Sequence, residues 1–125
     1  MHCKFACDHD PGAYVNRSAR CAASRTSCEG QAAAPLLASF PVEAVLAALA
    51  TDGVDGASEA AGGVADRTSV ARARALGLAP PAAFLAASDS IGFLAPLGDL
   101  IVTGPTGTNV VDLAVLLAAK RASVL

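Results

Sequence analysis

The sequence passes from an apolar run into two closely spaced Asp-Gly pairs at Thr51-Asp52-Gly53-Val54-Asp55-Gly56. The apolar run covers residues 42–50, and its length alone fits either a strand or a helix. Because glycine tolerates a positive φ and carries no side chain, each pair favours a tight turn that a ligand can approach closely. This stretch therefore predicts a polar turn at the end of a buried element, with the carboxylates of Asp52 and Asp55 on it.

Those two carboxylates have more than one chemical interpretation. Carboxylate oxygens are the ligands that Mg²⁺ prefers, often together with substrate phosphates. Either aspartate could instead act as a general base toward a hydroxyl group. The alternative is that Asp52 and Asp55 are solvated turn residues without a chemical role.

A second glycine-rich loop lies further along the chain, at Gly104-Pro105-Thr106-Gly107-Thr108-Asn109. It lacks the lysine of a Walker loop, GxxxxGK[ST]. Its small side chains leave backbone N–H groups accessible to a phosphate or a carboxylate, whereas a plain polar hairpin loop is the alternative. The candidate binding residues of this loop are Gly104, Thr106, Gly107, Thr108 and Asn109.

The segments around these loops alternate between strand and helix patterns. Residues 99–103 predict a short buried strand, and the alternating apolar residues of 110–119 favour a second strand, although helical spacing also fits that run. Capping residues and prolines predict helices over 70–76 and 82–87 and a third helix capped by Asp89 or Ser90. The pattern indicates an α/β fold with short helices.

All four cysteines and both histidines lie in the first 28 residues, and this segment shows neither a helical nor a strand period. A zinc site could be drawn from Cys3, Cys7, His9 and either Cys21 or Cys28, but the paired CxxC or HxxxH spacing of such sites is absent. We therefore expect residues 1–34 to be an irregular or disordered, non-native leader without a metal, and the domain to occupy residues 35–125.

Composition limits the remaining possibilities. A chain of 125 residues suits one domain, and its 54% hydrophobic content is nearly half alanine, so its core is expected to be thin. A net charge of -2 argues against nucleic-acid binding. The sequence contains neither a membrane-spanning run nor a signal peptide, and we expect a cytoplasmic protein with no membrane partner.

Several of these stretches together resemble the MOFRL domain. They are residues 51–56, Ala60-Ala61-Gly62, Asp89-Ser90 and residues 97–110. The run Thr-Gly-Pro-Thr-Gly-Thr-Asn at 103–109 is the most specific part, and the resemblance extends over about residues 42–119.

The resemblance implies the C-terminal domain of a two-domain glycerate 2-kinase, a family often labelled hydroxypyruvate reductase. It implies an α/β domain, with short helices against a small mixed sheet, that packs beside a larger N-terminal domain. ATP, with Mg²⁺, would phosphorylate D-glycerate to 2-phosphoglycerate in the cleft between them. Asp52 and Asp55 would then be catalytic, and the loop from Gly104 to Asn109 would bind substrate or phosphate.

The sequence also departs from the family pattern. The Gly-Gly-Arg-Asn-Gln-Glu element that precedes the Asp-Gly stretch in the family is absent, and Val111 replaces an asparagine. We therefore expect a truncated fragment that is inactive alone and needs an N-terminal glycerate kinase domain to complete the cleft. The alternative is a non-catalytic remnant, or a fragment that only binds an anion.

Overall fold

The computed structural model describes residues 25–56 and 58–120, which form one sheet with short helices. The helices are α1 (Arg25–Ala38), α2 (Ser69–Ala75), α3 (Pro81–Ala86) and α4 (Ser90–Leu94). The strands are β1 (Glu43–Ala50), β2 (Gly62–Asp66), β3 (Leu100–Ile101) and β4 (Asp112–Ala119). No helix in these two ranges is long and apolar enough to cross a membrane.

The sheet has the strand order β3-β2-β1-β4, and all three pairings are antiparallel. The predicted α/β class, with short helices against a small sheet, is confirmed, but the sheet is antiparallel where we expected a mixed one. The reason lies in the helical segment between β2 and β3, which returns to the side of β2. Val64 N donates to Asp99 O at 2.8 Å, so β3 runs back along β2 in the opposite direction.

Both apolar runs that the sequence left open are strands. In β1, Leu46 lies opposite Ala65 of β2 on one side and opposite Leu116 of β4 on the other. The helices α2 and α3 lie within one residue of the predicted ranges. Asp89 caps α4, since its Oδ1 accepts a hydrogen bond from Gly92 N at 2.9 Å.

Helix α1 packs across β2 and β1 and covers one face of those two strands. The approach is close at Gly30, where an added Cβ would lie 3.3 Å from the carbonyl oxygen of Gly63. The core beneath it is mostly alanine, and its large side chains are Leu37, Phe93 and Leu94. The ring centroids of Phe84 and Phe93 are 5.7 Å apart. The core is thin, as the alanine-rich composition suggested.

Helix α1 also continues through the boundary that we placed between residues 34 and 35. Gln31 and Ala34 are fully buried, and Gln31 Nε2 donates to Pro81 O at 2.9 Å. Alanine favours helix, but a face that packs through glycine and alanine gives no periodic signal of large side chains. Residues 1–24, which include most of the zinc alternative, lie outside the described residues, and for them the leader remains a prediction.

Candidate functional site

The two polar loops lie at the same end of the sheet, which we call the loop end (residues 51–61 and 102–111). Because neighbouring strands alternate in direction, β1 and β3 finish at this end, whereas β2 and β4 start there. All candidate site residues of the sequence analysis fall within it. The topology therefore brings the Asp-Gly turn and the glycine-rich loop together across the sheet.

Direct hydrogen bonds join the two loops. Thr106 N donates to Asp52 O at 3.0 Å, and Thr106 Oγ1 donates to Thr51 O at 2.5 Å. Thr51 Oγ1 in turn accepts from Val110 N and donates to Val111 O, both at 2.8 Å. Sequence reasoning missed this role of Thr51, since only its position at the end of an apolar run distinguishes it from other threonines.

The backbones of the two loops also touch at Gly53 and Gly104. Gly53 has a φ of 88°, and a Cβ there would lie 2.0 Å from Gly104 O. Any larger residue at position 53 would push the loops apart. This contact explains why an Asp-Gly pair, and not another turn sequence, stands opposite the glycine-rich loop.

The two candidate carboxylates have different surroundings. Asp52 is half-buried, and its Oδ1 accepts a hydrogen bond from Val54 N at 3.0 Å. Asp55 is only 3% exposed, and hydrogen bonds hold its main chain: Asp55 N donates to Ala60 O at 2.8 Å, and Ser58 Oγ donates to Asp55 O at 2.8 Å. Asp52 is therefore the carboxylate that a ligand can reach more easily.

The glycine-rich loop offers backbone donors. Gly104 and Gly107 have positive φ values of 68° and 76°, and residues 105–109 are exposed. Within the two described ranges, the N–H groups of Gly107 and Asn109 donate to no acceptor in the protein. Two N–H groups on an exposed turn are thus available to an oxyanion.

The charge of the loop end is negative. It contains no lysine or arginine, and four carboxylates lie in or next to it, those of Asp52, Asp55, Glu59 and Asp112. A bare phosphate would be repelled here, whereas a phosphate that shares a divalent cation with a carboxylate would not. The fit for ATP with Mg²⁺ therefore depends on cationic charge brought by the metal or by another part of a larger protein.

A metal ion held by protein side chains alone needs more ligands than Mg²⁺ that arrives with a phosphate. Among residues 25–56 and 58–120, no group of three or more histidine, cysteine, aspartate and glutamate side chains could hold a metal ion. Mg²⁺ needs only one or two carboxylates when phosphate oxygens complete its shell. Asp52 fits that more limited role.

A second charged cluster lies at the start of β3, away from the loop end. The guanidinium of Arg72 donates to both carboxylate oxygens of Asp99, at 2.8 and 3.1 Å, and Nη1 also donates to Leu97 O at 3.0 Å. The hydrogen bonds to Asp99 raise the pKa of Arg72. The cluster fixes the start of β3 against α2.

Asp66 belongs to the same cluster. Its Oδ1 accepts hydrogen bonds from Thr68 N at 2.7 Å and Thr68 Oγ1 at 2.6 Å. Partial burial acts to raise the pKa of Asp66, but these hydrogen bonds and the charge of Arg72 outweigh it and hold the pKa below the ordinary value of 3.8. Asp66 is therefore ionised and holds the turn into α2.

The fold and the loop end define an α/β domain that presents an exposed glycine-rich loop, unlike a Walker loop, beside an Asp-Gly turn. The model of the MOFRL family matches residues 17–112. The chain belongs to the MOFRL family. This match begins within the segment that the sequence analysis assigned to a leader.

Known relatives agree with this placement. The chain is 42% identical over 71 residues to the D-glycerate 2-kinase of Thermotoga maritima, covering 57% of this chain and 17% of that protein. It is 36% identical over 80 residues to a glycerate 2-kinase of Pyrococcus horikoshii, covering 64% and 18%. The crystal structure of the Thermotoga maritima glycerate kinase matches with a TM-score of 0.72 and 36% identity, over 77% of this chain and 23% of that one. The chain thus spans less than a fifth of the length of these curated relatives.

Proposed function

We propose that this chain supplies the substrate-contacting loop end of a glycerate 2-kinase, which forms 2-phosphoglycerate from D-glycerate and ATP. The observation that carries the proposal is the pair of hydrogen bonds from Thr106 to the backbone of Thr51 and Asp52, which fixes the glycine-rich loop beside a carboxylate. Relatives named glycerate 2-kinase match 57% and 64% of this chain. Phosphoryl transfer depends on positioning and charge neutralisation, which such loops can provide.

The residues of the loop end would have separate roles. Asp52, the more accessible carboxylate, would accept the proton of the 2-hydroxyl of glycerate. Asp55 would hold the turn that presents Asp52, since it is 3% exposed and bonded through its main chain. The free N–H groups of Gly107 and Asn109 would hold an oxyanion of the substrate, and Gly104, Thr106 and Thr108 would shape that turn.

The cofactor would be ATP with Mg²⁺, which supplies the phosphoryl group and neutralises its charge. The loop end has no cationic side chain of its own, so a second domain would have to supply one. This is the physical reason to expect that the chain needs an N-terminal glycerate kinase domain and is inactive without it. The whole enzyme would act on a small molecule in the cytoplasm.

A chimera tests this proposal. Residues 42–119 would replace the corresponding segment of the Thermotoga maritima D-glycerate 2-kinase, and 2-phosphoglycerate formation would be measured with ATP, Mg²⁺ and D-glycerate. We expect an active chimera, and we expect Asp52→Asn to lower kcat about 100-fold, as loss of a general base does. Thr106→Val should raise KM more than it lowers kcat, because it loosens the binding loop.

Controls separate chemistry from folding. Asp89→Asn changes a carboxylate that caps α4 and has no hydrogen bond to the loop end, and it should leave kcat unchanged. The 125-residue chain alone should show no turnover. A folded but inactive chimera would contradict the proposal and favour the alternative, a non-catalytic remnant. Isothermal titration of the chain with inorganic phosphate and Mg²⁺ would then show whether the remnant still binds an anion.

A further inference from the structure

Strand β4 forms one edge of the sheet and is exposed along its whole length. It pairs with β1 on one side and with no other strand among residues 25–56 and 58–120. All eight of its residues are exposed. The outer row of its backbone N–H and C=O groups is therefore open to another strand.

Among residues 25–56 and 58–120, no helix covers either face of β4. Leu116, which shares a face with α1, is 53% exposed, and Leu117 on the opposite face is 64% exposed. Natural edge strands are usually shortened, or protected by proline or by charges along their length. The other edge strand, β3, has only two residues. Residues 113–119 of β4 contain no charge and no proline, so this edge has none of those protections.

The charges nearest to residues 113–119 stand at the two ends of β4. Asp112 is its first residue, and Lys120 follows its last. We propose that β4 pairs antiparallel with β4 of a second copy of this chain and joins the two four-stranded sheets into one. A parallel arrangement would place like charges together, whereas an antiparallel one places opposite charges together.

One register of the two β4 strands places opposite charges opposite each other and pairs side chains of similar size. With Leu116 on the two-fold axis, Asp112 of each copy lies opposite Lys120 of the other. Val115 then lies opposite Leu117, and Ala114 opposite Ala118. A shift by two residues in either direction would place each charge opposite an apolar residue, so the charges select this register. Helix α1 lies over β2 and β1, which leaves room beside β4 for the second sheet.

Charge exchange tests the pairing and its register. The mass of the full 125-residue chain would be measured by sedimentation equilibrium over a wide concentration range at low salt. We expect a dimer, and we expect Asp112→Lys or Lys120→Asp to raise its Kd about tenfold, since each puts like charges at both ends of the pair. The double exchange, Asp112→Lys with Lys120→Asp, should restore the parent Kd. Leu116→Glu should abolish the dimer, because it opposes two carboxylates on the axis.

The controls address net charge and folding. Arg74→Asp changes the net charge as Lys120→Asp does, but at an exposed position of α2, and should leave the Kd unchanged. Circular dichroism would show that each variant is folded. A chain that is monomeric at every concentration would overturn the proposal. The proposal would also be overturned if the single exchanges left the Kd of the dimer unchanged, or if the double exchange failed to restore the parent Kd.

Discussion

The two halves of the sheet are stabilised in different ways. In the covered half, β2 lies beneath α1, and its residues are buried or half-buried. In the open half, β4 is exposed at every position. Both strands pair antiparallel with the same central strand, β1. The difference therefore arises from what covers each strand and from the second pairing of β2, with β3, which β4 lacks among residues 25–56 and 58–120.

This chain has few large apolar side chains, and its two halves are stabilised by different contacts. The covered half gains stability from the close packing of small residues. Gly62 is an example, because a Cβ there would lie 1.9 Å from Ala48 O. The open half depends on its backbone ladder and on the hydrogen bonds of Thr51 at the loop end.

The largest difference in stability is expected when leucine is replaced by alanine once in each half. Leu94→Ala removes a fully buried side chain and should lower the free energy of unfolding by about 2–5 kcal/mol. Leu116→Ala removes a side chain that is 53% exposed and should cost less than about 1 kcal/mol. Urea unfolding of dilute, monomeric chain measures both. Equal losses would mean that β4 is covered after all.

A smaller effect is expected at the junction between the halves. Thr51→Val keeps the shape of the side chain but removes its bonds to Val110 and Val111, and should cost about 1 kcal/mol. Hydrogen exchange should speed up in β4 and stay unchanged in β2. Ser39→Ala, which removes an exposed bond to Leu36 O at 3.0 Å, serves as the control. Unchanged exchange in β4 would show that the ladder alone holds that strand.

The smallest effect concerns the pH dependence of the covered half. Because the folded pKa of Asp66 lies below 3.8, its contribution to stability is present above that pH and is lost as the pH falls through the folded value. Asp66→Asn should therefore flatten the acid side of the stability profile, and Thr68→Val should flatten it partly. Thermal unfolding between neutral and acidic pH measures this. Identical acid profiles for all three chains would rule out this role for Asp66.

Sequence reasoning predicted the parts of the fold that local chemistry decides. Prolines and capping residues defined α2, α3 and α4, and two Asp-Gly pairs marked the end of β1. Helix α1 could not be predicted, because its packing face uses Gly30 and Ala34 and so lacks a period of large residues. The antiparallel direction of β3 depends on the path of the preceding helices, which no local pattern encodes.

The site was predicted unevenly for the same reason. Both glycine-rich segments were visible as motifs, and the fold placed them together. The contact between Gly53 and Gly104 and the hydrogen bonds of Thr51 join residues more than fifty positions apart, so the sequence held no local sign of them. The difference in exposure between Asp52 and Asp55 likewise arises only in the folded chain.

The backbone at Val111 has a consequence for how this sequence can change. Val111 has a φ of 75°, which a β-branched residue adopts only at a cost of about 1–3 kcal/mol. The side chain of Asn109 and the hydroxyl of Thr51 hold it there. The family pattern that the sequence resembles has asparagine at this position, a residue that tolerates left-handed backbone. Val111→Asn would thus release strain without any new contact. This makes position 111 a natural starting point for laboratory evolution of a more stable domain.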